Sequence, residues 1–507
     1  MLELSQLLAG IGGVRMVGGE PRLHIHEVCD DSRRVQPGDL FVAVPGSKLD
    51  GGKFVDDALA KGAIAIVAES PALEAHLAGR AALILVPSAR QALGTIAANR
   101  FQASSSLRLT AVTGTNGKTT TTYLVEAMLN AAGRKPGVIG TVGYRFGGRQ
   151  KEASLTTPGA LELHSLLAEM KQSGASDVVM EASSIALEQG RLAGCRYRVA
   201  ALTNVTQDHL DYHGTMERYF AAKAILFREL MLAEVGVSVF FADDPHGVTM
   251  RKEARGPVLT LSRSERGADV VVLQRQLGAD GIRMRLGTPA GNLEIVSPLV
   301  GDFNVDNILT AVGIALGHGL PPAAIADGLA QLRGVPGRLE SVGNEAGVLC
   351  VVDYAHTPDA LERALDVLRP LTKGRLICVF GCGGDRDRGK RPLMGQAAVG
   401  RADVTIVTSD NPRTETPESI IDMILEGVRA TGKAERSVAE LTQGLTGYHA
   451  EPDRWTAISR AVALARLGDV VLLAGKGHED YQIVGTQKTH FDDREIAAAA
   501  FAARRRA

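Results

Sequence analysis

One stretch restricts this chain more than any other: Leu107 to Gly133, LRLTAVTGTNGKTTTTYLVEAMLNAAG. An apolar run through Leu107, Leu109, Ala111 and Val112 is broken by Gly114-Thr115-Asn116-Gly117. Lys118-Thr119 then opens a helical pattern that closes at Gly133, a left-handed cap position. Strand, glycine turn and helix in that order leave backbone N–H groups and the positive end of a helix dipole at the turn, where a phosphate binds. Lys118 adds a cation for the outer phosphates, and the Thr119 hydroxyl is of the kind that ligates Mg²⁺. The general phosphate-loop pattern asks for a further glycine where this chain has Val112, so the loop is a shortened form. A glycine turn with no ligand would not need Lys-Thr at the helix start. The stretch is read as a nucleoside triphosphate site.

At 507 residues the chain has room for about three domains of roughly 150 residues. Its 45% hydrophobic and 22% charged residues are those of an ordinary globular protein. A net charge of -1 offers no electrostatic case for nucleic acid or an anionic membrane as partner. Cys29, Cys195, Cys350, Cys378 and Cys382 fall at no metal-binding or disulfide-framework spacing, which fits a reducing cytosol. The opening MLELSQLLAG lacks a basic leader and a long apolar core, and no window reaches the ~18 apolar residues of a membrane helix. A cytoplasmic protein without membrane insertion is the expectation.

Residues 1–105 alternate strands at His26–Val28, Asp39–Val44, Ala63–Val67 and Leu83–Val86 with helices near Phe54–Lys61 and Ala89–Phe101. The polar Gln102-Ala103-Ser104-Ser105-Ser106 reads as a linker. From 106 to 335, Asp177–Met180 and Val199–Leu202 are short apolar runs of the kind found in buried parallel strands. Residues 268–300 suggest a small antiparallel insert, followed by a helix over Asn304–His318. Gly334-Val335-Pro336-Gly337 marks a second break. Residues 336–507 carry strands at Leu349–Asp353, Arg375–Phe380, Val404–Thr408 and Val470–Ala474, separated by helical patterns. The fold class is α/β throughout, with domains at 1–105, 106–335 and 336–507.

Ligands of open α/β sheets bind where the strands end, so the loops after these strands carry the chemistry. Glu181-Ala182-Ser183-Ser184 follows one; a carboxylate beside a phosphate loop suits Mg²⁺, which usually takes only one or two protein carboxylates. Thr203 to Asp211, TNVTQDHLD, follows the next and is too polar to fill a core. Lys223 lies in the amphipathic helix Tyr219–Phe227. A lone helical lysine commonly snorkels to solvent, whereas a buried one loses charge and becomes an amine open to carbamylation by CO₂. Periodicity leaves both open. In the last third, Asp353 and His356 follow one strand, GCGGDRDRGKR a second, Asp410-Asn411-Pro412-Arg413 a third and GKGHED a fourth. No GxGxxG dinucleotide fingerprint is present. Arg413 can fork onto a carboxylate while Asp410 and Asn411 engage an ammonium or amide, which suits a zwitterionic amino acid.

In order and spacing, GTNGKTT at 114–120, EASS at 181–184, TNVTQDHLDYHG at 203–214, AAK at 221–223, FNVDN at 303–307, GRLE at 337–340 and DYAHTPD at 353–359 resemble the Mur ligases. GCGGDRDRGKRP, DNPR and GKGHEDYQ resemble the branch of that family that adds diaminopimelate. The resemblance spans essentially the whole chain. It implies an N-terminal α/β domain for a UDP-muramoyl substrate, a central phosphate-loop ATPase and a C-terminal Rossmann-like domain for the incoming amino acid. It implies ATP and Mg²⁺ as cofactors, with UDP-N-acetylmuramoyl-L-alanyl-D-glutamate and meso-diaminopimelate as substrates. The enzyme so implied is a cytoplasmic monomer of peptidoglycan precursor synthesis.

Residue by residue, Gly114, Thr115, Asn116, Gly117, Lys118, Thr119, Thr120, Asn307, Arg338 and Asp353 fall at the family's ATP-binding positions. Lys118, Glu181, His209 and Lys223 match its catalytic positions, with Thr119, Glu181, His209 and a carbamylated Lys223 around magnesium. Asp30, Ser32, Ser47, Lys48 and Leu49 match the uridine end, and Thr156, Thr157, Ser183, Gln189 and Arg191 the muramoyl-dipeptide contacts. Arg386, Asp410, Asn411, Pro412, Arg413, Gly475 and Glu479 match the diaminopimelate site. One departure is Ile185, where the family often has histidine after the two serines. Two rivals stand beside this reading: a sister ligase adding L-lysine, against which DNPR argues, and a catalytically silent scaffold, against which the intact catalytic positions argue.

Overall fold

The computed structural model describes residues 2–46, 51–264, 267–278 and 280–504. The chain gathers into two compact units, one of Met1–Gln274, Arg285–Ile295 and Asp306–Gln331, the other of Arg275–Met284, Val296–Val305 and Leu332–Ala507. In the first unit a five-stranded sheet runs in the order Arg15–Val17, Ala82–Leu85, Ala65–Ala68, Leu40–Val42, Val28–Cys29. All neighbours are parallel except at the Arg15–Val17 edge. The inner strands are buried on both faces, as their unbroken apolar runs require where crossover helices cover each side. The expected strand His26–Val28 is two pieces. His24–Ile25 pairs with Leu2–Glu3, and Val28–Cys29 joins the five-stranded sheet.

A second sheet has eleven strands. Its central run, Pro136–Gly140, Asp177–Glu181, Arg108–Thr113, Tyr197–Leu202, Val237–Phe241 and Val258–Ser262, is parallel. Arg108–Thr113 comes first in the chain but lies in the middle of this run, and the next strand is placed two positions to one side. That reversal is a topological switch point. It brings the loops after Arg108–Thr113, Asp177–Glu181 and Tyr197–Leu202 out side by side. A hairpin of Gly143–Phe146 and Arg149–Lys151, which periodicity did not announce, extends one edge. The three strands expected over 268–300 are present and belong to this same sheet: Val270–Gly278 pairs parallel with Val258–Ser262, and Gly281–Thr288 and Gly291–Ser297 follow it at the edge. Those last strands are sheet neighbours with connections too short for a crossover, so they turn back on one another.

In the second unit a six-stranded sheet runs Glu340–Val342, Leu349–Asp353, Val470–Ala474, Leu376–Phe380, Val404–Val407, Gly447–Ala450, parallel except at the first edge. Its faces are covered by one apolar layer around Leu365, Met394 and Ile424 and another around Ile458, Val462 and Phe501. Val470–Ala474, last of the six in the chain, is inserted between the second and third. The loops after residues 353, 474, 380 and 407 therefore follow four neighbouring strands. Among the described residues no helix is long and apolar enough to cross a membrane.

Candidate active site

The glycine loop after Thr113 is moulded by its neighbours. A Cβ on Gly114 would lie 1.9 Å from Thr203 Oγ1, and one on Gly117 would lie 2.2 Å from Asn307 Oδ1. Both glycines have positive φ, 141° and 86°, so sterics and backbone alike demand them. The polar loop 203–206 braces this turn. Thr203 Oγ1 donates to Asn116 O at 2.6 Å, Asn204 Oδ1 accepts from Asn116 N at 3.0 Å, and Asn204 O accepts from Thr115 N at 2.9 Å. Lys118, Thr119 and Thr120 then form the first turn of the Lys118–Ala131 helix.

Two amines meet at this loop. Lys118 Nζ donates to Gly114 O at 3.0 Å and Thr115 O at 2.8 Å, and Lys223 Nζ donates to the same Gly114 O at 3.0 Å. Lys223 is 1% exposed, with its amine 4.2 Å from the centre of the Tyr219 ring. Snorkelling is thus excluded: the lysine is on the inward face of Met216–Glu229. Burial, reinforced by the charge of Lys118 and opposed by Asp208, holds its pKa well below the ordinary lysine value. An amine pushed toward its neutral form is the species that attacks CO₂.

Glu181 ends its strand fully buried. Its Oε1 accepts from Thr119 Oγ1 at 3.0 Å and Thr141 N at 2.9 Å, and its Oε2 from Thr141 Oγ1 at 3.1 Å. A Cβ on Gly140 would lie 2.4 Å from Oε1, so the chain passes as close as glycine permits. Thr141 escaped the sequence reading; the only signal was its place among glycines in Gly140-Thr141-Val142-Gly143. Carboxylate and hydroxyl oxygens are the donors Mg²⁺ takes, so Glu181 and Thr119 fit it. Among the described residues no three His, Cys, Asp or Glu side chains converge on a metal position. His209 opens the short Leu210–His213 helix with φ 51°, 3.6 Å from Asp208 and with its ring 6.3 Å from that of Tyr219. No hydrogen bond among the described residues joins it to Glu181 or Lys223.

The expected dipeptide contacts form one network. Thr157 Oγ1 donates to Glu181 O at 2.8 Å and accepts from Ser183 N at 3.1 Å. Arg191 donates to Thr157 O at 2.9 Å and, from Nε and Nη2, to Gln189 Oε1 at 3.0 and 2.7 Å. Thr156 reaches Thr141 hydroxyl to hydroxyl at 3.0 Å, which ties this network to Glu181. Beside the half-buried Ile185, the Ser184 hydroxyl is partnered by His213 Nε2 at 2.9 Å. Asp30 and Ser32 sit where the five-stranded sheet gives way to the Ser32–Arg34 turn. Ser47, Lys48 and Leu49 lie outside the described residues.

In the second unit, both Asp353 oxygens are held by backbone: Oδ2 accepts from Leu339 N at 2.8 Å and Oδ1 from Ala355 N at 2.9 Å. Arg338 lies 5.4 Å from the Tyr354 ring centre. A Cβ on Gly337 would come 2.3 Å from His478 N, which fixes the GRLE turn against the GKGHE loop.

The remaining expected residues converge at the ends of three adjacent strands. Asn411 Nδ2 donates to Glu479 Oε2 at 2.8 Å. A Cβ on Gly475 would sit 2.6 Å from Asp410 Oδ2, and one on Gly384 only 1.8 Å from Pro412 O. Arg413 has φ 51°, rare for a side chain of its size, and its Nη1 donates to Gly384 O at 2.8 Å. Its backbone is pinned by Ile483 O at 3.1 Å and Gly485 N at 2.7 Å. Arg386 is exposed, and a Cβ on Gly383 would lie 3.6 Å from its Cγ and 3.0 Å from Arg413 Nη1.

Beneath these loops lie two further ion pairs. Arg391 pairs with Glu415 at 2.8 and 2.9 Å, and Glu415 also accepts from Asp385 N at 2.7 Å. Arg454 and Asp493, both fully buried, pair at 2.6 and 2.9 Å. Arg454 also donates to Ser409 O at 3.3 Å and Ala474 O at 3.0 Å, the carbonyls just before Asp410 and Gly475.

Three family descriptions match in chain order: Mur ligase family, catalytic domain over residues 24–101; Mur ligase middle domain over 112–315; and Mur ligase, glutamate ligase domain over 337–477. The UDP-N-acetylmuramoyl-L-alanyl-D-glutamate–2,6-diaminopimelate ligase of Gloeobacter violaceus is 47% identical over 507 residues, 99% of each chain. The protein of that name from Geobacter metallireducens is 46% identical over 96% of this chain and 95% of its own. A solved structure of a ligase so named matches with a TM-score of 0.73 at 36% identity, covering 99% of both chains. A D-alanyl-D-alanyl-adding ligase from Acinetobacter baumannii, TM-score 0.58 at 22% identity over 94% of each chain, shares the fold. With three successive domain matches and full-length relatives near half identity, this chain belongs to the Mur ligase family.

Proposed function

We propose that this chain is an ATP-dependent ligase that joins meso-diaminopimelate to the D-glutamyl side-chain carboxylate of UDP-N-acetylmuramoyl-L-alanyl-D-glutamate. It would do so as a cytoplasmic monomer in peptidoglycan precursor synthesis, with domains at 1–105, 106–335 and 336–507. The observation that carries the reading is the group at the ends of three adjacent strands, where Arg413, Asp410, Asn411 and Glu479 offer a fork for a carboxylate and anions for an ammonium. The printed names of the full-length relatives agree with it.

A carboxylate does not condense with an amine at neutral pH because its oxygen is a poor leaving group. ATP changes that by phosphorylating the carboxylate, forming an acyl phosphate and ADP. The amine attacks the acyl carbon, the tetrahedral intermediate collapses, phosphate leaves and the amide remains. Such a sequence needs little covalent work from protein; positioning and charge stabilisation dominate. Lys118 and the N–H groups of the glycine loop would hold the phosphates. Magnesium, held by Glu181 and Thr119 with His209 and the Lys223 carbamate as further ligands, would neutralise charge on the phosphate oxygens. Asn307, Arg338 and Asp353 would serve ATP, and Thr156, Thr157, Ser183, Gln189 and Arg191 the muramoyl dipeptide, with Asp30, Ser32 and residues 47–49 at the uridine end. Lys223 would carry carbamate: its neutral amine adds to CO₂, the N–C bond forms and a proton is released. Arg413 would anchor the far carboxylate of diaminopimelate, which L-lysine lacks.

The test is phosphate release from ATP in the presence of the UDP-muramoyl dipeptide, with meso-diaminopimelate and L-lysine compared side by side. Release that depends on diaminopimelate is expected. Preference for lysine would transfer the chain to the sister ligase, and no amino-acid-dependent release would leave a silent scaffold.

A further inference from the structure

One charged side chain among the amino-acid loops has no part in the reading above. Lys476 is completely buried. A buried cation persists only where opposite charge and hydrogen bonds offset its desolvation. Here the offset comes from the loops themselves: Nζ donates to Asn411 Oδ1 at 3.2 Å and lies 3.7 Å from both Asp410 Oδ1 and Glu479 Oε2. The ring centres of Tyr481 and Phe491 lie 5.6 and 5.8 Å from it, within cation–π range. An ammonium only donates, so it dictates which way the Asn411 amide points. The oxygen faces Lys476 and the Ile483 N–H at 3.0 Å, and the nitrogen faces Glu479.

The charges of this group add simply. Asp410 and Glu479 bring two negative charges, Lys476 and the half-buried Arg413 two positive ones, and the total is zero. Arg386 is exposed and screened by solvent. A neutral group with separated signs complements a ligand end that carries both ammonium and carboxylate. Without Lys476 the group would carry one net negative charge, which complements an ammonium alone. Burial and the charge of Asp410 already push the Glu479 carboxyl up, and Lys476 opposes them.

We infer that Lys476 is a positioning and specificity-determining residue, which keeps the amino-acid loops electrically neutral and so favours an incoming amino acid with a zwitterionic far end over one with a bare ammonium. The inference rests on the amino-acid-adding reading above. It is tested with wild type, Lys476→Met, Lys476→Arg and the charge-compensated double variant Lys476→Met/Glu479→Gln, each assayed with meso-diaminopimelate and L-lysine at saturating ATP and UDP-muramoyl dipeptide. Lys476→Met is expected to lower the ratio of kcat/KM for diaminopimelate over lysine at least tenfold while the KM for ATP stays put. Lys476→Arg should keep the wild-type ratio, and the double variant should recover part of it, which a merely structural role would not produce. A wild-type ratio in Lys476→Met, or equal losses with both amino acids and no recovery in the double variant, overturns the inference while leaving the activity standing. A wild-type protein that turns over neither amino acid overturns the activity, and this inference with it.

Discussion

Sharing the Gly114 carbonyl with a second amine, and shut away from water, Lys223 retains its proton only against desolvation and repulsion. Carbamylation would relieve the repulsion, replacing a reluctant cation with an anion that pairs with Lys118. Lys223→Ala is expected to lose nearly all ligase activity, and millimolar acetate or another short carboxylic acid should restore part of it. A fully active variant would remove the carbamate from the mechanism. Arg413 makes a different kind of contribution, since its left-handed backbone is held by the Ile483 and Gly485 main chain. Arg413→Ala should raise the KM for diaminopimelate roughly 10–100-fold, the equivalent of about 1.5–3 kcal/mol for a charge-assisted hydrogen bond. The KM for ATP should be spared, and equal effects on both would count against the assignment.

Glu415 gives a pH prediction. The Arg391 guanidinium, then the Asp385 N–H, hold its carboxyl at about 2, below the ordinary glutamate value. A depressed carboxyl stabilises the fold above its unfolded pKa and loses that contribution as pH falls through the folded one. The Arg391–Glu415 clamp should therefore persist on acidification until pH approaches 2. In a carboxyl NMR titration Glu415 should have its midpoint near that value, and Arg391→Met should move the midpoint upward toward the ordinary range. An unmoved midpoint would show that the clamp is not the cause.

At the scale of elements, the glycine contacts show how closely the loops nest. Gly384 stands where a methyl would overlap Pro412 O, so the 381–389 and 409–413 loops pack backbone to backbone. Gly384→Ala should separate them, lowering stability by about 1–3 kcal/mol, as overpacking does. It should also weaken diaminopimelate binding; calorimetry and the amino-acid KM would check each part. The strands beneath were legible in the sequence: four of the second unit's six fall within a residue of the apolar runs that announced them. Buried parallel strands are apolar on both faces, and composition alone betrays them. The hairpins at Gly143–Lys151 and Tyr481–His490 were not legible, because exposed edge strands such as Arg149–Lys151 and Gln487–His490 carry no apolar pattern. Thr141, Lys476 and Arg454 were missed for another reason. Each meets its partner across a gap in sequence, 40 residues to Glu181, 65 to Asn411 and 39 to Asp493, and no local spacing records such a pairing.

At the scale of the whole molecule, the Gly114–Gly117 loop belongs to the first unit and the loops after residues 380, 407 and 474 to the second, so the two proposed sites can be probed separately. Ligand binding stabilises the segments it touches in proportion to occupancy, and amide exchange reads that locally. A non-hydrolysable ATP analogue is expected to slow exchange in residues 112–120 and 203–206. Diaminopimelate, added to the dipeptide complex, should slow it in 381–389, 409–413 and 475–485. Protection by diaminopimelate confined to the first unit would overturn the placement of its site.

Arg454 holds the amino-acid loops by Ser409 O and Ala474 O, and a carbonyl oxygen is something every residue possesses. The clamp is therefore indifferent to the side chains displayed beyond it. Selection could rewrite the loop tips, and with them the building block accepted, while the strands and their buried ion pair stayed as they are. A fold anchored in this way separates the part that must be kept from the part that is free to diverge.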